Sequence, residues 1–126
     1  VRNLIWVWTT QNYNGDSTQY AQDTDWYPGD AYVDIVGRDL YGYTAEQNYR
    51  EFAAIQTAYP TKMVTLAECG TNTGTGTAYS GIGELWSAGA KWSWFMPWYG
   101  ECMPDSSWWN SALGQSFVIT RDKVSY

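Results

Sequence analysis

With no histidine anywhere in the chain, Ser-His-Asp triads, Cys-His dyads and His-ligated metal sites are excluded, and carboxylates must carry any acid–base chemistry. Most of the thirteen Asp and Glu residues are expected to be solvated surface charges. Glu68 differs in position: it ends the apolar run 63–67 (MVTLA) and precedes Cys69-Gly70, which sets a carboxylate at the rim of a sheet beside a glycine that lets a ligand approach. An exposed strand-end glutamate has the same local pattern. Glycoside hydrolysis commonly uses two carboxylates, about 5–5.5 Å apart in retaining enzymes, one attacking the anomeric carbon and one protonating the leaving oxygen. Asp39, after the preceding apolar run, is open to being that partner or a group that orients others. Tyr41 offers a phenol able to donate a hydrogen bond to Glu68, although a rim or core tyrosine would read the same way.

Nine Trp, eleven Tyr and three Phe make the chain 18% aromatic, more than packing alone requires, and aromatic faces are platforms for sugar rings. A Trp-rich core is the plainer account. The densest stretch runs from Trp92 to Tyr99. Strand alternation gives Trp92, Trp94, Met96 and Trp98 one orientation and Phe95 the other. If the first set faces a barrel axis, Trp98 stacks on a sugar at the carboxyl end, next to Tyr99. Trp26 and Tyr27, before Pro28, are second candidates, with loop anchoring equally plausible.

These residues need elements to hold them. Residues 3–9 (NLIWVWT) read as a buried strand, and residues 10–31 as a polar loop with a weakly signalled helix near 16–22. A second strand is expected over 32–37, with Asp39 and Tyr41 just past its end. Residues 44–59 then switch to helical period: Phe52, Ile55, Ala58 and Tyr59 share a face, Thr44 caps the start and Pro60 stops the helix. A third strand over 63–67, a helix near 80–89, a fourth strand near 91–97 and a helical stretch near 107–116 complete the pattern. Continuous apolar strands alternating with helices predict an α/β fold with a parallel sheet, in which ligands gather beyond the strand ends. A full (β/α)8 barrel takes about 250 residues, so four units in 126 residues predict half of one.

Seven basic against thirteen acidic residues give a net charge of −6, the wrong sign for nucleic acid or an anionic membrane. No run reaches the roughly 18 apolar residues of a membrane helix, and the first residues lack the order of a signal peptide. Cys69 and Cys102 are open to pairing as a disulfide or standing as two thiols.

The segments LIWVWT, DWYPGDAYVDIVGRDLYG, LAECG and WSWFMPWYG together resemble glycoside hydrolase family 26, most of whose members are endo-β-1,4-mannanases, and the likeness runs across nearly the whole chain. The resemblance implies a (β/α)8 barrel of retaining hydrolases with catalytic carboxylates after the fourth and seventh strands. Residues 1–126 then correspond to the C-terminal half of the catalytic domain, its fifth to eighth strands. Glu68 takes the nucleophile's place, Tyr41 that of the tyrosine contacting it, Asp39 that of a supporting acid, and Trp98 that of the tryptophan lining the sugar site. The acid/base falls outside the chain, so an N-terminal half is needed, and the isolated chain is expected to be inactive and to expose two edge strands. No cofactor or metal is implied. The expected partner is β-mannan and the expected location extracellular. Two other readings stay open: a non-catalytic carbohydrate-binding module stacking sugars on Trp26, Trp98 and Tyr99, and a related hydrolase acting on β-1,3-xylan or mixed-linkage glucan.

Overall fold

A computed structural model describes residues 3–11 and 25–125. Four strands, β1 (Val7–Gln11), β2 (Ile35–Tyr41), β3 (Met63–Gly70) and β4 (Phe95–Pro97), form one sheet in the order β1-β2-β3-β4, and every neighbouring pair is parallel. Helix α1 (Ala45–Ala58) connects β2 to β3, α2 (Ile82–Ala88) connects β3 to β4, and α3 (Ser106–Leu113) comes after β4. The helix expected near 16–22 lies outside the described residues.

The strands have two unlike faces. Val36, Leu40, Val64, Leu66 and Cys69 point to the helix layer, where Phe52, Ile55, Ile82, Leu85 and Ala112 complete the core. Leu66 and Cys69 are wholly buried there. The opposite face carries Thr9, Gln11, Gly37, Asp39 and Tyr41. It is much more polar.

Helix α1 begins where Thr44 accepts from the Gln47 amide while the Gln47 side chain accepts from the Thr44 amide, a reciprocal capping box. Its buried residues are Asn48, Glu51, Phe52 and Ile55, with Tyr59 buried just beyond. Ala58, expected on that face, is exposed. Polar Asn48 and Glu51 are buried because partners await them. Asn48 donates to the Thr44 and Tyr43 carbonyls and accepts from the Tyr79 hydroxyl at 2.5 Å, and Glu51 lies 3.5 Å from Arg38.

The strand boundaries differ from the hydropathy pattern. β1 begins at Val7, and Leu4, Ile5 and Trp6 are exposed before it. β2 runs to Tyr41 instead of stopping at 37, because Arg38 is buried against Glu51 and Thr10, a pairing that a polar-residue count reads as loop. β3 likewise continues through Glu68 to Gly70. β4 holds only three residues. Trp92 lies before it, turned to the helix side with its ring edge-on to Phe52, so it does not share the orientation of Met96 and Trp98.

Candidate active site

Side chains along a strand alternate between faces, so Val64 and Leu66 on the helix side would place Glu68 there too. It is not there. The β2–β3 register runs Arg38↔Leu66 and then Asp39↔Glu68, so Ala67 is an extra residue opposite nothing on β2. The same offset appears against β4, where Leu66↔Phe95 is succeeded by Cys69↔Pro97. This bulge reverses the parity of residues 68 and 69: Cys69 enters the core and Glu68 turns to the polar face. Since Gln11 pairs with Asp39 in the β1–β2 register, Gln11, Asp39 and Glu68 form one row across three strands.

That row lies on a cleft of about 380 Å³ at the carboxyl ends of the strands, also lined by Tyr41, Tyr43, Thr71, Asn72, Thr73, Trp98 and Cys102. A larger cavity of about 430 Å³ among Trp86, Trp92, Trp94 and Phe117 is apolar and has no carboxylate in its wall.

Tyr41 donates its hydroxyl to Glu68 Oε2 at 2.6 Å. Burial, that hydrogen bond and the charges of Glu68 and Asp39 push the phenol far above its ordinary range, so it holds its proton as a fixed donor. Asp39 is pushed up to about 7, first by burial and then by the Glu68 charge, with Arg38 and a hydrogen bond from the Glu68 backbone amide pulling the other way. One of its carboxylate oxygens is buried without a hydrogen-bond partner among the described residues. Asp39 therefore resists ionising, buried as it is beside the Glu68 carboxylate.

The Trp98 amide donates to the Cys69 carbonyl at 2.7 Å, which ties the aromatic stretch to the end of β3, and its ring remains 39% exposed at the cleft. Tyr99 lies outside the cleft wall, 74% exposed, with its ring centroid 5.1 Å from that of Trp98. Trp26 is not part of this group. It is 82% exposed beside Tyr27, whose ring packs on Trp8 and Tyr59 at the opposite end of the strands, where Lys62 holds the Asp30 and Val33 carbonyls. The loop-anchoring role belongs to Tyr27.

Cys69 and Cys102 are both free thiols, Cys69 sealed in the core and Cys102 half-buried at the cleft. Gly70 gives close approach to protein, not to a ligand: a side chain there would run into the Cys102 carbonyl, which accepts from the Thr71 amide at 2.8 Å. Gln11, Tyr43 and residues 71–73 are wall residues that the sequence pattern did not single out. A polar residue closing an apolar strand was a usable signal for Gln11. The 71–73 segment is shaped by Asn72, whose side chain accepts from the Gly74 and Thr75 amides while its own amide donates to the Thr77 carbonyl. Among the described residues no group of three Cys, Asp or Glu could hold a metal ion, and no helix is long and apolar enough to cross a membrane.

The family model for glycosyl hydrolase family 26 matches residues 1–123. A mannan endo-1,4-β-mannosidase from Thermothelomyces thermophilus is 30% identical over 126 residues, covering 98% of this chain and 22% of that protein. The crystal structure of the family 26 domain of an endo-β-mannanase/endo-β-glucanase from Prevotella bryantii is 58% identical, with a TM-score of 0.88 over 96% of this chain and 35% of that one. A β-(1,4)-mannanase structure from Podospora anserina is 28% identical, with a TM-score of 0.68 over 98% of this chain and 25% of that one. The chain therefore spans between a fifth and about a third of these relatives' lengths.

Proposed function

The chain belongs to glycosyl hydrolase family 26, and from that premise we infer that it is the nucleophile-bearing, C-terminal half of a retaining endo-β-1,4-mannanase barrel. The four-stranded parallel sheet with its helices is one part of the family's (β/α)8 barrel. The observation that carries the catalytic role is the Ala67 bulge, which takes a strand-end carboxylate held by a tyrosine hydroxyl out of the core and aims it into the cleft.

The chemistry proceeds in two displacements. A Glu68 oxygen attacks the anomeric carbon of the sugar bound before the scissile bond, and the bond to the leaving oxygen breaks as an acid from the N-terminal half gives that oxygen a proton. Water, losing a proton to the same group, then attacks the anomeric carbon and releases Glu68. Tyr41 steadies the oxygen of Glu68 that does not attack, Asp39 supports the pair from β2, and Trp98 stacks on the sugar. The names of the Thermothelomyces and Podospora relatives support β-mannan as the substrate. Extracellular action is proposed from the size of that polymer alone, now that both cysteines are free. A binding module of β-sandwich type does not fit the parallel sheet.

The test is reducing-sugar release from β-mannan, mixed-linkage β-glucan and β-1,3-xylan by the full-length enzyme, its Glu68→Ala variant and the isolated 126-residue chain. Activity on mannan from the full-length enzyme alone is expected. Hydrolysis by the isolated chain at the full enzyme's rate, or by the Glu68→Ala variant, would overturn the assignment.

A further inference from the structure

The bulge that aims Glu68 has to be seated somewhere. An extra residue in β3 puts Ala67 and Glu68 in succession on the polar face, and the surplus methyl needs room that a regular ladder does not leave. The room lies across the strand at Gly37. That glycine pairs with Thr9 on β1 and Thr65 on β3, and a Cβ built on it would sit 2.6 Å from Thr9 Oγ1, 2.8 Å from Ala67 Cβ and 3.5 Å from Thr65 Cγ2. These neighbours are not equally yielding. Thr9 is exposed and its hydroxyl can turn away, whereas Ala67 Cβ is fixed by the backbone of the bulge itself and is nearly buried. Gly37 has no positive φ, so its conformation does not demand glycine; the space does.

We propose that Gly37 is a positioning residue for catalysis: the missing side chain at 37 is the socket for Ala67, and filling it pushes the bulge and swings Glu68 away from Tyr41 and the anomeric carbon. The proposal rests on Glu68 being the nucleophile. Gly37 does not line the cleft, and the fixed atom nearest its missing side chain is Ala67 Cβ, so its effect on the chemistry runs through the backbone of residues 67 and 68. The two strands are thus matched, a vacancy on β2 to a spare residue on β3.

The experiment compares Gly37→Ala, Ala67→Gly and the double variant with the parent and with Glu68→Ala, all as full-length enzyme, reading kcat and KM on β-mannan. Gly37→Ala is expected to lower kcat about 10²-fold, the scale of a misplacement near 1 Å, while KM stays within about threefold because Trp98 and the 71–73 wall keep their places. Ala67→Gly in the same chain is expected to restore at least about tenfold of that loss, since it empties the space that the new methyl takes. A purely structural role for Gly37 would lower the amount of folded enzyme without this split. Parental kcat in Gly37→Ala, or a double variant no faster than Gly37→Ala, overturns the proposal. If Gly37→Ala does not fold, the double variant decides: folded and active supports the socket, whereas unfolded or inactive rejects it. Undiminished hydrolysis by Glu68→Ala would instead reject the nucleophile assignment, a distinct failure.

Discussion

The two faces of β2 and β3 are built from the same strands and obey different rules. On the helix side, Val36, Leu40, Val64 and Leu66 keep strict alternation and are held by apolar burial. On the other side, Gly37, Asp39 and Tyr41 alternate as regularly along β2, but Ala67 and Glu68 of β3 break it, because a bulge has moved Glu68 across and a glycine has made room. Apart from the Arg38–Glu51 pair, the apolar face depends on the size and hydrophobicity of its residues, while the polar face depends on geometry set by single residues. Substitutions on the first should therefore cost stability and on the second rate.

The largest expected effect is on the polar face. Glu68→Gln in the full-length enzyme keeps the size of the side chain and should lower kcat on β-mannan by about 10⁴-fold or more, as loss of a covalent nucleophile does. Tyr41→Phe removes the donor at 2.6 Å and should lower kcat by about 10²–10³-fold, the cost of one preorganised hydrogen bond, with a much smaller change in KM. A Tyr41→Phe enzyme with parental kcat would show that the hydroxyl only packs the rim.

The helix face supplies the contrast. Leu66→Ala should cost about 2–5 kcal/mol of stability in a denaturant titration, because the side chain is wholly buried, while kcat per folded molecule changes little. A selective kcat loss there would erase the distinction between the faces.

Asp39 gives a smaller effect with a definite sign. Its folded pKa, about 7, lies above the ordinary 3.8, so between those values the folded chain holds a proton that the unfolded chain has released. Stability from this group is greatest below about pH 4 and falls as pH rises towards 7. Asp39→Asn should flatten that fall in unfolding midpoints measured across the window. A fall of equal slope in the variant would move the cause to another group. Smallest of all, Trp26→Ala should leave kcat and KM on β-mannan unchanged, its ring being exposed at the far end of the strands. A rise in KM would return Trp26 to the sugar site.

The helix-side rules are the ones that hydrophobic patterning reads, which is why the parallel order, the cap at Thr44 and most of the α1 face were legible. The apolar runs also located Glu68 and Tyr41 near strand ends. Their mutual geometry was not legible, because a one-residue bulge leaves no mark in composition: MVTLAECG reads as a strand whether or not Ala67 is paired. Arg38 and Glu51 concealed the true end of β2 for a related reason, since a buried ion pair looks like surface when its partners are far apart in sequence. Trp92 departs from the expected alternation because it precedes β4, where no strand geometry orients it. For Tyr41, Asp39 and Trp98 the residues leave alternatives open, and the family resemblance chooses among them.

The most direct measurement is to treat the full-length enzyme with an activated 2-deoxy-2-fluoro-β-mannoside, which slows release of the glycosyl-enzyme, and to locate the added sugar by peptide mass spectrometry. One label, an ester on Glu68, is the expected result. A label on Asp39 or on a residue outside this chain, with Glu68 unmodified, would contradict it.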